Sequence, residues 1–132
     1  MRRAWFVLAF GLLSGCAYLP DPPNYVHVVL YKFRSGSSAA DVEALFSDCR
    51  DLLTQVPSLK GVYPGRPVPR PSSAGYPAIA DYDVGVVFLF DSQKGLQDFL
   101  DHPAHRAFEE KYAARIEARS VDFSPYSGAP RP

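Results

Sequence analysis

The sequence predicts an α+β domain in which helices cover one face of an antiparallel sheet. Runs of β-branched and aromatic residues alternate along the chain with segments whose apolar residues recur every three or four positions. The 132 residues are 47% hydrophobic and carry no net charge, since 14 lysines and arginines balance 14 aspartates and glutamates. This length and composition favour one globular domain and argue against a disordered chain or an electrostatic binder of nucleic acid.

The first 15 residues are predicted to be a secretory signal. Two arginines precede an apolar run over residues 4–13, which at about 1.5 Å per residue is too short to span a bilayer. The segment Leu13–Cys16 resembles the lipobox of bacterial lipoproteins, in which the cysteine is acylated and becomes the first mature residue. The resemblance implies a membrane anchor on Cys16, a linker over residues 16–24, and a location in the bacterial cell envelope, on the periplasmic side of the outer membrane.

The domain is predicted over residues 25–124 and begins with a strand. Tyr25–Phe33 is rich in β-branched and aromatic residues, which favour strands. A helix follows, with Ser38 as its N-cap and Pro57 at its end. The later predicted elements are a strand over 60–63, a strand over 82–90, a short helix capped by Asp91 or Ser92, a helix opened by His102 and Pro103 that reaches Ile116, and a strand over 120–123.

This β-α-β-β-α-α-β order is typical of a ferredoxin-like domain with a split β-α-β arrangement and a four-stranded antiparallel sheet. A proline-rich loop over 64–81 joins the middle strands, and residues 125–132 are predicted to be a flexible tail. Both faces of the first and third strands are mainly apolar, whereas an antiparallel sheet usually keeps one polar face. We expect a second copy of the chain to cover the face without helices, so the sequence predicts a homodimer.

Five segments match a known family: HVVLYKF from residue 27, VPSLKGV from residue 56, GR from residue 65, DFLDHPAH from residue 98 and VDF from residue 121. Together they make residues 26–123 similar to the stress-responsive dimeric A/B barrel (Dabb) family. The resemblance implies ferredoxin-like subunits whose sheets pack face to face. Many members have no known activity, which favours a membrane-tethered protein that binds a small apolar ligand without catalysis.

One member class of that family consists of polyketide cyclases that use a histidine of the His-Pro-x-His segment as general base. Carried over by position, the resemblance implies that His105 is the base and that His27 is a pocket group. Phe99 and Val84 stand where those cyclases have a tyrosine and a further histidine. General-base chemistry also needs a donor for the developing oxyanion, and the sequence shows no evident group for that task. The predicted pocket lining is Val29, Tyr31, Phe46, Val84, Val86, Phe88 and Phe99.

Three functions therefore stay open from the sequence. The first is the non-catalytic ligand binder, and the second is a cofactor-free cyclase or lyase in which His105 is the base and His27 polarises the substrate. The third is an envelope interaction module that uses the proline-rich loop and the tail. No cofactor and no metal are predicted, because His27 and His105 lack an evident third ligand.

Overall fold

The computed structural model describes residues 23–69, 79 and 81–125. The predicted signal segment, Cys16, most of the linker, and much of the proline-rich loop and tail lie outside the described residues. The described elements are β1 (Tyr25–Phe33), α1 (Ala39–Gln55), β2 (Gly61–Gly65), β3 (Val84–Phe90), α2 (Gln93–Asp101), α3 (Pro103–Tyr112) and β4 (Ile116–Phe123). The predicted α+β class and the predicted order of elements are confirmed.

The four strands form one antiparallel sheet in the order β2-β3-β1-β4. The two most apolar strands, β1 and β3, therefore lie in the middle. β2 and β4 are the edges, and Pro64 is tolerated in β2 because an edge strand has backbone groups without a partner strand. His27 pairs with Phe88 of β3 on one side and with Asp122 of β4 on the other.

Helix α1 begins where the sequence predicts. The Ser38 hydroxyl accepts a hydrogen bond from the Asp41 N–H at 3.1 Å, and the Asp41 carboxylate accepts one from the Ser38 N–H at 3.0 Å. This reciprocal capping satisfies two backbone donors that a helix start otherwise leaves unpaired. The helix buries one apolar stripe against the sheet, made of Val42, Leu45, Phe46, Cys49 and Leu52.

The last strand is longer than predicted, and Ile116 belongs to it. α3 ends at Tyr112, and a turn over residues 113–115 leads into β4 at Ile116. Ile116 pairs with Phe33 of β1 and is buried. The prediction that placed Ile116 on the last helix was wrong because the four-residue spacing from Tyr112 fits a helical stripe, whereas Ile116 reaches the same core from the sheet.

The two faces of the sheet differ in burial. The face under the helices is buried along β1 and β3, and it carries His27 among apolar neighbours. On the opposite face Val28, Leu30, Val87 and Leu89 are only partly buried. In the described part of the chain, no helix has the length and apolar character needed to cross a membrane.

Candidate functional site

A cavity of about 360 Å³ lies between the sheet and α3 on the helix-covered face. This volume lies within the range of roughly 300–1,000 Å³ that is common for small-molecule sites. The cavity opens along β4, where Ala118 and Ser120 are exposed. Its lining residues are His27, Val29, Tyr31, Leu100, His105, Phe108, Glu109, Ala113, Ile116, Ala118 and Ser120.

The cavity brings together the two histidines that the sequence singled out. Both His27 and His105 are buried, with 7% and 6% of their surface exposed. Phe99 packs against both rings: its centroid lies 4.3 Å from the His105 ring and 6.3 Å from the His27 ring. Two imidazoles from different elements, β1 and α3, therefore line the same cavity.

His27 is held by a carboxylate on the neighbouring strand. Its Nδ1 lies 2.5 Å from Oδ1 of Asp122, which faces it across the β1–β4 pairing. An ionised carboxylate only accepts hydrogen bonds, so Nδ1 carries the hydrogen and donates it. The contact leaves Nε2 of His27 as the ring nitrogen available to a ligand, and it fixes the orientation of the ring.

His105 is held in the same tautomer by a different acceptor. Its Nδ1 lies 3.3 Å from the Leu100 carbonyl oxygen and 3.8 Å from Oε2 of Glu109. Burial lowers the pKa of His105 below its ordinary 6.5, and the proximity of His27 lowers it further, whereas Glu109 and the Leu100 carbonyl partly offset the effect. His105 is therefore neutral near pH 7, with the lone pair on Nε2.

The start of α3 places His105 on the inner face. The His102 ring accepts a hydrogen bond from the Ala104 N–H at 3.1 Å, so His102 is the N-cap of α3, and Pro103 occupies the first turn. The predicted start of this helix at His102 and Pro103 is confirmed. Because α3 begins there, His105, Phe108 and Tyr112 fall on one buried stripe.

Tyr31 is the third aromatic polar residue of the cavity. Its ring meets Phe108 edge to face with centroids 6.2 Å apart, and only 5% of the residue is exposed. Within the described part of the chain, no hydrogen bond reaches the Tyr31 hydroxyl. Burial raises the pKa of Tyr31, so the phenol stays protonated.

The predicted pocket residues divide into two groups. Val29 and Tyr31 line the cavity. The other five lie in the hydrophobic core and are not part of the lining: Phe46, Val84, Val86, Phe88 and Phe99. Most of them lie on or near β3, which is separated from β4 by β1, and the core is closed there.

Sequence reasoning missed Asp122, Glu109 and Ser120. The signal for Asp122 is the β1–β4 pairing, which places it opposite His27 once the full length of β4 is known. Glu109 follows His105 by one helical turn, and that spacing could have indicated it. Among the described residues, no three His, Cys, Asp or Glu side chains converge closely enough to hold a metal ion.

Comparison with known proteins places the chain among proteins of the same fold. It is 29% identical over 101 residues to olivetolic acid cyclase of Cannabis sativa, covering 75% of this chain and 94% of the cyclase. Hydroxynitrile lyase from Passiflora edulis superimposes with a TM-score of 0.65 at 18% identity, covering 83% of this chain and all of the lyase. A dimeric ferredoxin-like protein of unknown function from Thermobifida fusca gives a TM-score of 0.60 at 24% identity, covering 76% of this chain and 90% of that protein.

The family assignment agrees with the fold and extends over the whole described domain. The profile of the family described as Stress responsive A/B Barrel Domain (Dabb) matches residues 26–125. That range runs from the second residue of β1 to the end of the described chain, so it includes both histidines and Asp122. The chain therefore belongs to the Dabb, or stress responsive A/B barrel domain, family.

Proposed function

We propose that the domain is a cofactor-free enzyme that carries out proton-transfer chemistry on a small, largely apolar substrate, as a cyclase or a lyase does. The observation that carries this proposal is that His27 and His105 line one cavity with their Nδ1 atoms bound to oxygen acceptors. Each ring then offers Nε2 for proton transfer. The similarity to a cyclase and the shared fold with a lyase support this choice over ligand binding alone.

The environments of the two histidines suit different tasks. His105 is kept neutral by burial, so its Nε2 can accept a proton from the substrate. His27 is oriented by Asp122, which fixes the direction in which Nε2 of the ring can meet a substrate. We assign His105 the role of general base, and His27 the role of binding the substrate by accepting a hydrogen bond at Nε2.

The lining sets the class of substrate. Val29, Phe108 and Ile116 offer apolar contacts. The polar side chains of the lining are the two histidines, Tyr31, Glu109 and Ser120. A carbonyl compound with an acidic hydrogen on the neighbouring carbon fits this arrangement, because a base and a polar contact are then needed a few ångströms apart. The open side along β4 gives such a molecule a route into the cavity.

The test is His105→Gln against His102→Asn, measured as deuterium exchange from D2O into linear β-diketones offered as substrates. Glutamine keeps most of the side-chain volume but is no base, so the rate should fall by about 10²- to 10⁴-fold. Asparagine at position 102 keeps an N-cap oxygen and removes an imidazole that does not line the cavity. An unchanged rate in His105→Gln would leave non-catalytic ligand binding as the function.

We also propose, on the resemblance of Leu13–Cys16 to a lipobox, that the mature domain is anchored to the membrane through Cys16. The short linker would then hold the cavity close to the lipid surface, where apolar substrates partition. Replacing Cys16 with serine should move the protein from the membrane fraction to the soluble fraction. A Cys16→Ser protein that stays in the membrane fraction would refute the anchor without touching the enzyme proposal.

The partly exposed apolar face of the sheet supports a homodimer. Val28, Leu30, Val87 and Leu89 form its centre, and Val121 lies beside them with 57% of its surface exposed. Burial of such a face against a second copy removes apolar surface from water. Light scattering on unlipidated protein should give twice the subunit mass, and Val87→Lys should give the single mass. A wild-type monomer would contradict the proposal.

A further inference from the structure

The proposed reaction lacks one component. When a base removes a proton beside a carbonyl group, negative charge develops on the carbonyl oxygen and must be stabilised by a preorganised donor. Phe99, which packs against both histidine rings, carries no donor. It lies in the aromatic cluster with Phe88 and Phe90, at centroid distances of 5.2 and 5.3 Å.

Tyr31 brings a phenol into the same cavity from another element. It lies on β1 four residues after His27, and because side chains alternate along a strand, both face the helices. Tyr31, His27 and His105 all line the cavity. The edge-to-face contact with Phe108 restricts the Tyr31 ring.

The state of the Tyr31 hydroxyl indicates a missing partner. A buried hydroxyl normally has a hydrogen-bond partner, yet no described residue supplies one to Tyr31. Among the described residues, Ser58 has a side-chain oxygen that is fully enclosed and has no hydrogen-bond partner. The Tyr31 hydroxyl is not enclosed in this way. The Tyr31 oxygen therefore borders open space, and the space that the residue lines is the cavity.

We propose that Tyr31 is a catalytic residue that donates its phenolic hydrogen bond to the substrate oxygen on which negative charge develops. This proposal rests on the proposed function and adds the oxyanion donor to it. The ligand class that follows is a planar oxyanion, such as an enolate or a phenolate.

The step balances without any further reactant. Nε2 of His105 takes the proton from the carbon beside the carbonyl group. The electron pair of that C–H bond becomes the carbon–carbon π bond, and the carbonyl π pair moves onto oxygen, which accepts the hydrogen bond from Tyr31. Tyr31 keeps its proton throughout, since burial disfavours its ionised form.

The experiment measures binding of 4-nitrophenolate, a coloured planar oxyanion, to the wild type and to Tyr31→Phe. A hydrogen bond to a charged acceptor corresponds to about a 10- to 100-fold change in affinity, so Tyr31→Phe should bind the anion that much more weakly. 4-Nitroanisole, which has no ionisable oxygen, should bind both proteins equally and so report an intact cavity. Tyr112→Phe is the matched control, because the Tyr112 hydroxyl donates to Asp48 at 2.5 Å and does not line the cavity.

Each other outcome overturns the inference in a distinct way. Equal anion affinity in the wild type and Tyr31→Phe would remove Tyr31 from the site while leaving the proton-transfer proposal intact, provided that His105→Gln still loses exchange activity. Parallel loss of phenolate and anisole binding would mean that Tyr31 only shapes the cavity. A wild type that binds neither probe would remove the inference together with the proposed ligand cavity.

Discussion

The layer between the sheet and the helices is closed on its β3 side and open on its β4 side. Three residues of β1 show the difference, because each pairs with an apolar residue of β3 and a small or polar residue of β4. The partners are Phe88 and Asp122 for His27, Val86 and Ser120 for Val29, and Val84 and Ala118 for Tyr31. The cavity lies on the side of β1 where Ala118 and Ser120 of β4 are its neighbours, and no residue of β3 lines it.

The closed side and the open side contribute to different properties of the domain. On the β3 side, Phe88, Phe90 and Phe99 are fully buried and fill the space. On the β4 side, the small side chains of Ala118 and Ser120 line the cavity, and Asp122 holds the ring of His27. We expect substitutions on the two sides to change different measured properties.

The largest expected effect is on stability, from Phe99→Ala on the closed side. Removal of a fully buried phenyl ring that contacts several aromatic rings should lower the free energy of unfolding by about 3–5 kcal/mol. Urea denaturation measures it, with Leu53→Ala as control because Leu53 is 42% exposed on α1. A loss from Phe99→Ala no greater than that from Leu53→Ala would show that the closed side is not tightly packed.

The next effect is on binding, from Ala118→Phe on the open side. The new ring should occupy the cavity and weaken 4-nitrophenolate binding by about 10-fold or more, a loss of at least 1.4 kcal/mol. The free energy of unfolding should change little, because position 118 is exposed. Ala114→Phe is the control, since Ala114 is exposed and does not line the cavity. Unchanged binding in Ala118→Phe would place the ligand elsewhere.

The sequence predicts the closed side better than the open side. The apolar composition of β3 is enough to predict a buried strand. The burial of its inward-facing residues is confirmed: Val84, Val86, Phe88 and Phe90. The residues of the open side are set by the register between β4 and β1. The local sequence of β4 does not reveal that register, because the two strands lie far apart in the chain. Ile116 shows the consequence: its spacing suits a helix, its partner Phe33 lies in β1, and the strand that it begins carries Asp122.

The candidate site was predictable in part for a related reason. His27 and His105 were found because the family motif marks them, and both line the cavity. Five of the seven predicted lining residues lie in the closed core, because an apolar residue facing the helices has the same pattern whether it borders a cavity or fills one. The side chains next to such a residue distinguish the two cases, and those side chains belong to other elements of the fold.

A smaller effect is the pH dependence of the free energy of unfolding, which arises from His105 in the cavity lining. Burial lowers the pKa of His105 in the folded state below 6.5, its ordinary value in an unfolded chain. Between those two values the unfolded chain binds more protons, so the free energy of unfolding should fall as the pH drops below about 6.5. Urea denaturation from about pH 8 to pH 5 measures the slope, which His105→Gln should reduce and His102→Asn should keep. An equal slope in His105→Gln would mean that other groups cause it.

The smallest effect concerns Glu109 at the cavity wall. Its Oε2 lies 3.8 Å from Nδ1 of His105 and favours the protonated ring, so Glu109→Gln should lower the pKa of His105 further. The side chain of Glu109 is 63% exposed, so solvent and salt screen the interaction and the change should shrink as salt is added.

NMR titration of the His105 ring protons measures this change directly and needs no substrate. Glu110→Gln is the matched control, because it removes the same charge one position along α3 from a side chain that does not line the cavity. If the two variants shift the pKa of His105 equally, the effect belongs to the net charge of α3, and Glu109 has no specific effect on the His105 ring. If Glu109→Gln lowers the pKa of His105 more than Glu110→Gln does, and added salt suppresses the difference, then the carboxylate of Glu109 raises the proton affinity of His105.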